Sequence, residues 1–314
     1  MALITIFGGS GFVGRAIVNQ AARAGYQVRI ATRNPTACYE LRALGTPGQV
    51  VPQYYDPSRP ESMAAAVAGS AAVVNCVGIL FERKRSTFHA AHVELPRQIA
   101  TSCKRQNVDR LIHISALGID QSQSRYGRSK LQGEQAVREA YPGVTILRPS
   151  VIFGPGDGFF NLFATLMQYL PALPLIGGGQ TRFQPVYVED VAAAAMVAVT
   201  GPDQVRGQTY ELGGPEVLTF KEVYKRLFAE IGQSRMLVPL PWRLAKFKAW
   251  FWERLPGKLL TVDQVVSLQT DNIVQQGTMT WGELGLTPTS LSVVLPTYLD
   301  RFKVGGKFAE RKSA

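Results

Sequence analysis

The chain has 314 residues, of which 46% are hydrophobic and 18% charged, a balance ordinary for a folded globular protein with room for a large α/β body and a smaller lobe. Thirty-four basic residues against 23 acidic leave a net charge of +11, so an acidic partner is expected: a nucleotide, an anionic lipid surface, nucleic acid or an acidic protein face. Three cysteines (Cys38, Cys76, Cys103) and three histidines form neither a disulfide framework nor a ligand cluster, which argues against a metal site and fits a reducing compartment.

The first predicted strand, residues 3–7 (LITIF), begins almost at Met1, so no targeting peptide is expected. No run of about 18 apolar residues reads as a membrane span, so a soluble or peripheral protein is expected. Gly8, Gly11 and Gly14 follow the strand, and residues 15–24 read as a helix. Strand, glycine turn and helix are the context of a dinucleotide fingerprint. Gly8 allows the sharp turn, Gly11 lets backbone N–H groups approach a pyrophosphate, and Gly14 lets helix pack on strand. The positive end of the helix faces the phosphates.

Residues 27–32 read as a second strand. An acid at its end would hold a ribose 2′-hydroxyl, but the chain continues Arg33-Asn34, with no acid until Glu40. Arg33 suits a 2′-phosphate instead, with Arg15 in support, so NADP(H) is expected. Strands follow at 50–55, ending on Asp56, and at 71–77. Asn75 to Gly78 then lie at the carboxyl edge of the sheet. A short helix is predicted at 60–68 and a long one at 87–106. Arg83, Lys84 and Arg85 read as a solvated loop. A fifth strand spans 110–115. Tyr126 and Lys130, four apart, share one helix face as proton donor and ribose anchor, and a close ammonium should lower the phenol pKa. A sixth strand spans 144–147.

In order, GGSGFVG, YGRSK, LRPSVIFGP and QPVYVEDVA resemble the extended or atypical short-chain dehydrogenase/reductase superfamily over roughly residues 1–200. That resemblance implies an α/β, Rossmann-type doubly wound parallel sheet with a smaller C-terminal lobe. Further motifs extend the likeness over nearly the whole chain: VVNCVGILFE, HISALG, LPLIGGGQTRFQPVYVEDVA, TYELGGPEVLTF, LLTVDQV and LGLTP. They resemble one branch of the superfamily, the NADPH-binding accessory subunit of respiratory complex I in its alphaproteobacterial form. The family's catalytic hydroxyl would fall near Leu117, beside Ser115, so its oxyanion-type donor is missing unless Ser122 or Ser124 substitutes. The branch is understood to hold its nucleotide structurally.

Together these readings place NADPH against Gly8, Gly9, Ser10, Gly11, Phe12, Val13, Gly14, Arg15, Arg33, Asp56, Asn75, Val77, Gly78, Ser115, Tyr126, Lys130, Pro149, Ser150 and Val151. Tyr126 and Lys130 are vestigial catalytic or ribose-binding residues. The expected division is 1–155, with 180–200 returning to it, for the nucleotide; 156–300 for a mixed lobe; and 301–314 for a basic tail.

The lobe should hold a strand at 209–212 and helices at 220–231, 265–270 and 291–302. Residues 237–260 contain three of the four tryptophans among basic residues. As a helix, Arg243, Lys246, Glu253 and Arg254 gather on one side and Leu244, Phe247, Phe251, Trp252 and Leu255 on the other. Such a helix suits a membrane–water interface or a packed position with its basic side solvated. The expected partners are complex I subunits at the junction of its peripheral and membrane arms, with anionic lipid contact near 242–258 and no nucleic acid. The expected place is the cytoplasmic face of a bacterial inner membrane. The rivals are a free NADPH-dependent reductase or epimerase using Tyr126 and Lys130, and a nucleotide-sensing regulator.

Overall fold

The computed structural model describes residues 1–83, 86–254, 260–303 and 305–306. Lys84 and Arg85 of the basic cluster, Leu255 and Lys258 of the aromatic–basic stretch, and residues 304 and 307–314 of the tail lie outside the described residues. The first part of the chain runs β1 (Leu3–Phe7), α1 (Phe12–Arg23), β2 (Gln27–Thr32), β3 (Val50–Tyr54), α2 (Pro60–Val67), β4 (Ala72–Asn75), α3 (Leu95–Arg105), β5 (Arg110–Ile114), α4 (Arg125–Ala140) and β6 (Thr145–Pro149). It continues with β7 (Ile152–Phe153), α5 (Phe160–Tyr169), β8 (Ala172–Ile176), β9 (Arg182–Phe183), β10 (Val186–Tyr187), α6 (Val188–Thr200) and β11 (Thr209–Leu212). The last elements are β12 (Leu218–Thr219), α7 (Phe220–Ile231), β13 (Met236–Leu240), α8 (Trp242–Trp252), α9 (Val262–Ser267) and α10 (Leu291–Leu299).

Seven strands form a parallel sheet in the order β11-β6-β5-β4-β1-β2-β3. The order reverses between β1 and β4, the switch point where doubly wound sheets bind ligands. This is the expected α/β Rossmann-type architecture. The strand expected at 209–212 within the lobe is instead the edge of the main sheet, paired in parallel with β6.

The central strands read as apolar runs because both faces are covered. Ile4, Ile6 and Phe7 are fully buried. Thr5 is buried between them, and its hydroxyl is satisfied by Ser70 Oγ at 2.7 Å and the Ala66 carbonyl at 3.2 Å. One face is covered by α1 and α6, where Ala16, Ile17 and Ala21 share a core with Val191, Ala194 and Ala198. The other is covered by α2, α3 and α4 through Met63, Leu95, Ile99 and Val137. The lobe has its own core, in which Phe163 meets Phe159, Phe220 and Tyr224.

The long helix expected at 87–106 is interrupted by one π turn, Ala90–Glu94, before α3 begins. The cause is local. Pro96 has no N–H, so the His92 carbonyl four residues earlier loses its helical donor, and Leu95 N donates to Ala90 O in the wider turn. Helix α4 uses the freed carbonyl as a landing site. Gly133 lies so close that a Cβ there would overlap His92 O. Gly133→Ala should therefore lower stability by about 2 kcal/mol through overpacking against backbone that cannot rotate away. Gly282→Ala, where a Cβ meets open space, should be near neutral. Urea denaturation of both variants tests this, and equal midpoints would refute it.

Candidate functional site

The fingerprint turn has the geometry its residues require. Gly8 sits at φ +75°, Gly11 N donates to Gly8 O at 2.9 Å, and a Cβ on Gly14 would overlap Gly8 O. Helix α1 begins with no side-chain cap and no acid in its first turn, so its leading N–H groups remain available to an anion. Gly8 also packs on the Cys76–Val77 peptide: a Cβ would lie 3.0 Å from the Cys76 carbonyl carbon. The glycine turn and the loop after β4 thus meet at the switch point.

Arg15 Nε donates to Ser10 O at 3.0 Å, and its guanidinium pairs with Glu40, both groups being exposed. Arg33 is exposed just beyond β2 and makes no ion pair among the described residues. Asp56 accepts from Ser58 N at 2.9 Å and Ser58 Oγ at 2.7 Å, and these bonds hold its carboxyl below the usual range. Asn75 is buried at the end of β4 and turned inward. Its Oδ1 accepts from Val77 N at 3.1 Å, and its amide lies 3.0 Å from His113 Nδ1. It shapes the loop carrying Val77 and Gly78.

Tyr126 and Lys130 lie on α4 as expected. Lys130 is buried and donates from Nζ to Ile114 O at 2.8 Å, next to Ser115. Burial lowers its pKa to about 8, with Glu134 acting in the opposite direction. The expected lowering of the Tyr126 pKa does not occur. Burial pushes the phenol up to about 12. The Lys130 ammonium is tied to the strand end, and its charge acts on Cys76, His92 and His113.

The substitute hydroxyls are committed elsewhere. Ser124 Oγ caps α4 by accepting from Gly127 N at 3.0 Å, and Ser122 Oγ lies 2.8 Å from Ser124 Oγ. Leu117, in the place of the catalytic hydroxyl, is buried with its N donating to Pro149 O at 2.9 Å. Ser115 Oγ is buried without a partner among the described residues. An uncapped α1 and an unpartnered hydroxyl at the carboxyl edge both fit a bound dinucleotide.

Three residues that the sequence reading missed brace the elements around the site from outside it. Ile79 N donates to His92 Nε2 at 3.0 Å, so Nδ1 carries the proton and donates to Ser129 Oγ at 2.8 Å, which in turn donates to Tyr126 O at 2.7 Å. Burial, with Lys130 adding to it, lowers the His92 pKa to about 3 and keeps the ring neutral. Asp263, from α9, accepts from Arg125 N at 2.7 Å and Tyr126 N at 3.0 Å. Asn272 accepts from Ser150 Oγ at 2.6 Å and Val151 N at 2.9 Å, and donates to Leu117 O at 2.8 Å. Pro96, four residues beyond His92, was the readable sign of the first. The capping box Thr261-x-x-Gln264 marks the helix that carries the second.

A family model described as the NAD dependent epimerase/dehydratase family matches residues 4–213. NADH dehydrogenase (ubiquinone) 1 alpha subcomplex subunit 9, mitochondrial, of Arabidopsis thaliana is 34% identical over 314 residues, covering 96% of this chain and 78% of its own. The protein of that name in Mus musculus is 33% identical over 302 residues, covering 92% and 77%. Among solved structures, the NADPH-dependent quinone oxidoreductase QOR2 complexed with NADPH from Escherichia coli is alike in fold, with a TM-score of 0.73 at 17% identity over 92% of this chain and 97% of its own. The chain belongs to the NAD dependent epimerase/dehydratase family, and within it to the group of the alpha subcomplex subunit 9 proteins.

Proposed function

We propose that this protein is an accessory, non-catalytic subunit of respiratory complex I, of the alphaproteobacterial form, that binds NADPH as a structural ligand. The observation that carries the reading is the likeness to complex I subunits along nearly the whole chain, lobe included, rather than over the nucleotide fold alone. In this reading residues 1–155, with 180–200, cradle the nucleotide, and 156–300 form the docking lobe. When bound, NADPH could supply hydride chemistry, but the residues around it favour holding over reaction. Leu117 offers no hydroxyl, and a phenol near pKa 12 is a weak acid at neutral pH. Lys130, with a pKa of about 8, remains largely an ammonium at neutral pH and suits a ribose hydroxyl. A ligand that binds only the folded state contributes about 3–4 kcal/mol at 100 to 1,000 times its dissociation constant.

Helix α8 supports docking beside the membrane arm, on the cytoplasmic face of a bacterial inner membrane, with anionic lipid contact. It buries Ala245 and Ala249 and leaves Phe247 66%, Phe251 56% and Trp250 48% exposed, with the Arg254 guanidinium 3.7 Å from the Trp250 ring. A second reading, an NADPH-dependent reductase or epimerase, is favoured by one observation: Lys130, on the same helix as Tyr126, reaches the end of β5 beside Ser115, whose hydroxyl is unpartnered among the described residues.

Affinity isolation from solubilised membranes should recover the protein with complex I, and a free cytosolic monomer would overturn the assignment. Purified protein should show no steady NADPH oxidation with small carbonyl substrates; turnover abolished by Tyr126→Phe would establish the second reading. Arg33→Glu should weaken NADPH by about tenfold or more and NADH far less, since a guanidinium–phosphate contact is charge-assisted; titration of intrinsic fluorescence with each nucleotide decides this.

Lys130 gives a pH signature. Below about pH 8 the folded chain holds a buried ammonium that the unfolded chain keeps in water, which lowers stability. Between about 8 and the ordinary lysine value of 10.5 only the unfolded chain keeps that proton, so the Lys130 contribution to stability rises with pH. The unfolding free energy of wild type relative to Lys130→Met should therefore increase across that window, as measured by urea denaturation; a flat difference would refute the shift.

A further inference from the structure

The segment from Thr261 to Asn272 belongs to the lobe, yet it is fastened to the nucleotide-binding body at both ends. At one end the Asp263 carboxylate takes the two leading N–H groups of α4, those of Arg125 and Tyr126. These are charge-assisted bonds to a helix start, where a carboxylate is favoured twice, by the free donors and by the helix dipole. At the other end Asn272 bridges the loops that leave β5 and β6. Its side chain accepts from Ser150 Oγ and Val151 N and donates to Leu117 O. Between the two anchors, Leu268 O accepts from Thr181 Oγ1, and Asp271 O lies against Gly118, 3.0 Å from where a Cβ would stand. The segment therefore crosses the carboxyl ends of β5 and β6, the side from which a doubly wound sheet receives its ligand.

We propose that residues 261–272 are a latch that gates nucleotide exchange, held shut by Asp263 and Asn272. This rests on the nucleotide-binding reading above. The latch bonds join the segment to α4 and to the loops after β5 and β6. In this proposal they break at the same cost with or without a nucleotide beneath, so the latch changes how often the site opens rather than how tightly the nucleotide is held. Entry and exit are scaled by the same open fraction. Asp263 and Asn272 are positioning residues: they act on α4 and on the loop at Ser150, and the nucleotide is reached only through those.

The experiment is stopped-flow fluorescence on the full-length protein with NADPH as the probe. Association is followed on mixing, and dissociation by displacement with excess NADP+. In Asp263→Ala and Asn272→Ala, association and dissociation rates should both rise about tenfold, because each change removes two or three hydrogen bonds from the closed state. The dissociation constant should stay within about twofold. Asp263→Asn, which keeps one acceptor, should fall between wild type and Asp263→Ala, and it serves if the alanine variant is unstable. A faster dissociation rate alone would overturn the latch, since the residues would then contribute binding energy rather than gating. Unchanged rates would overturn it too, with the nucleotide reading intact. Failure of wild type to bind NADPH would overturn the nucleotide reading itself and the latch with it.

Discussion

The placement of α4 against the His92 carbonyl is the constraint on which the rest of the site depends. Pro96 frees that carbonyl, the π turn presents it, and Gly133 allows a helix backbone to rest on it. Once α4 is seated there, its remaining anchors come into range. Ser129 reaches His92 Nδ1, Lys130 reaches the end of β5, and Glu134 pairs with Arg148 at 2.7 Å on β6. Arg148 also reaches Asp120 at 2.6 Å in the turn after β5. Glu134 is almost wholly buried, so this pair fixes a position more than it adds net stability. Desolvating two charges offsets most of their attraction, while removing either one alone would leave a buried charge uncompensated.

The seating that fixes α4 also decides its chemistry. A proton-transfer pair needs a phenol and an ammonium whose pKa values lie near the working pH and favour exchange between them. Here burial acts on both groups against their charged forms, raising Tyr126 and lowering Lys130. The neighbours do not restore the balance, because His92 and His113 are held neutral by the same burial. Lys130 is left as a short-reach cation beside Ser115, a combination that suits a sugar hydroxyl better than a developing oxyanion.

Much of this was legible in the sequence, for identifiable reasons. Parallel strands covered on both faces become apolar runs, so β1, β4, β5 and β6 could be read from residue type alone, and the glycine turn announced itself by spacing. Strand order is not a local property, which is why 209–212 read as part of the lobe although it pairs with β6 some sixty residues earlier. The Tyr126 shift was read with the wrong sign because the spacing of Tyr126 and Lys130 reports who shares a face, not how dry that face is. Asp263 and Asn272 carry no local signature of their roles; their partners are more than a hundred residues away, and no periodicity encodes such a contact.

The sequence left two places open for the large apolar residues of helix α8, an interface or a packed position. The buried seam of the helix is made by Ala245 and Ala249, and α8 lies against α9. Phe247, Trp250, Phe251 and Trp252 are left exposed, while Trp242 packs against the lobe core. At the end of the same helix, Glu253 Oε2 accepts from Val262 N at 3.2 Å, the first residue of α9. One residue further on, Asp263 receives the start of α4. Two successive helix starts are thus held by carboxylates, each supplied by the element before it in space. The exposed aromatic face of α8 and the helix that carries Tyr126 are joined through two caps, one on α9 and one on α4.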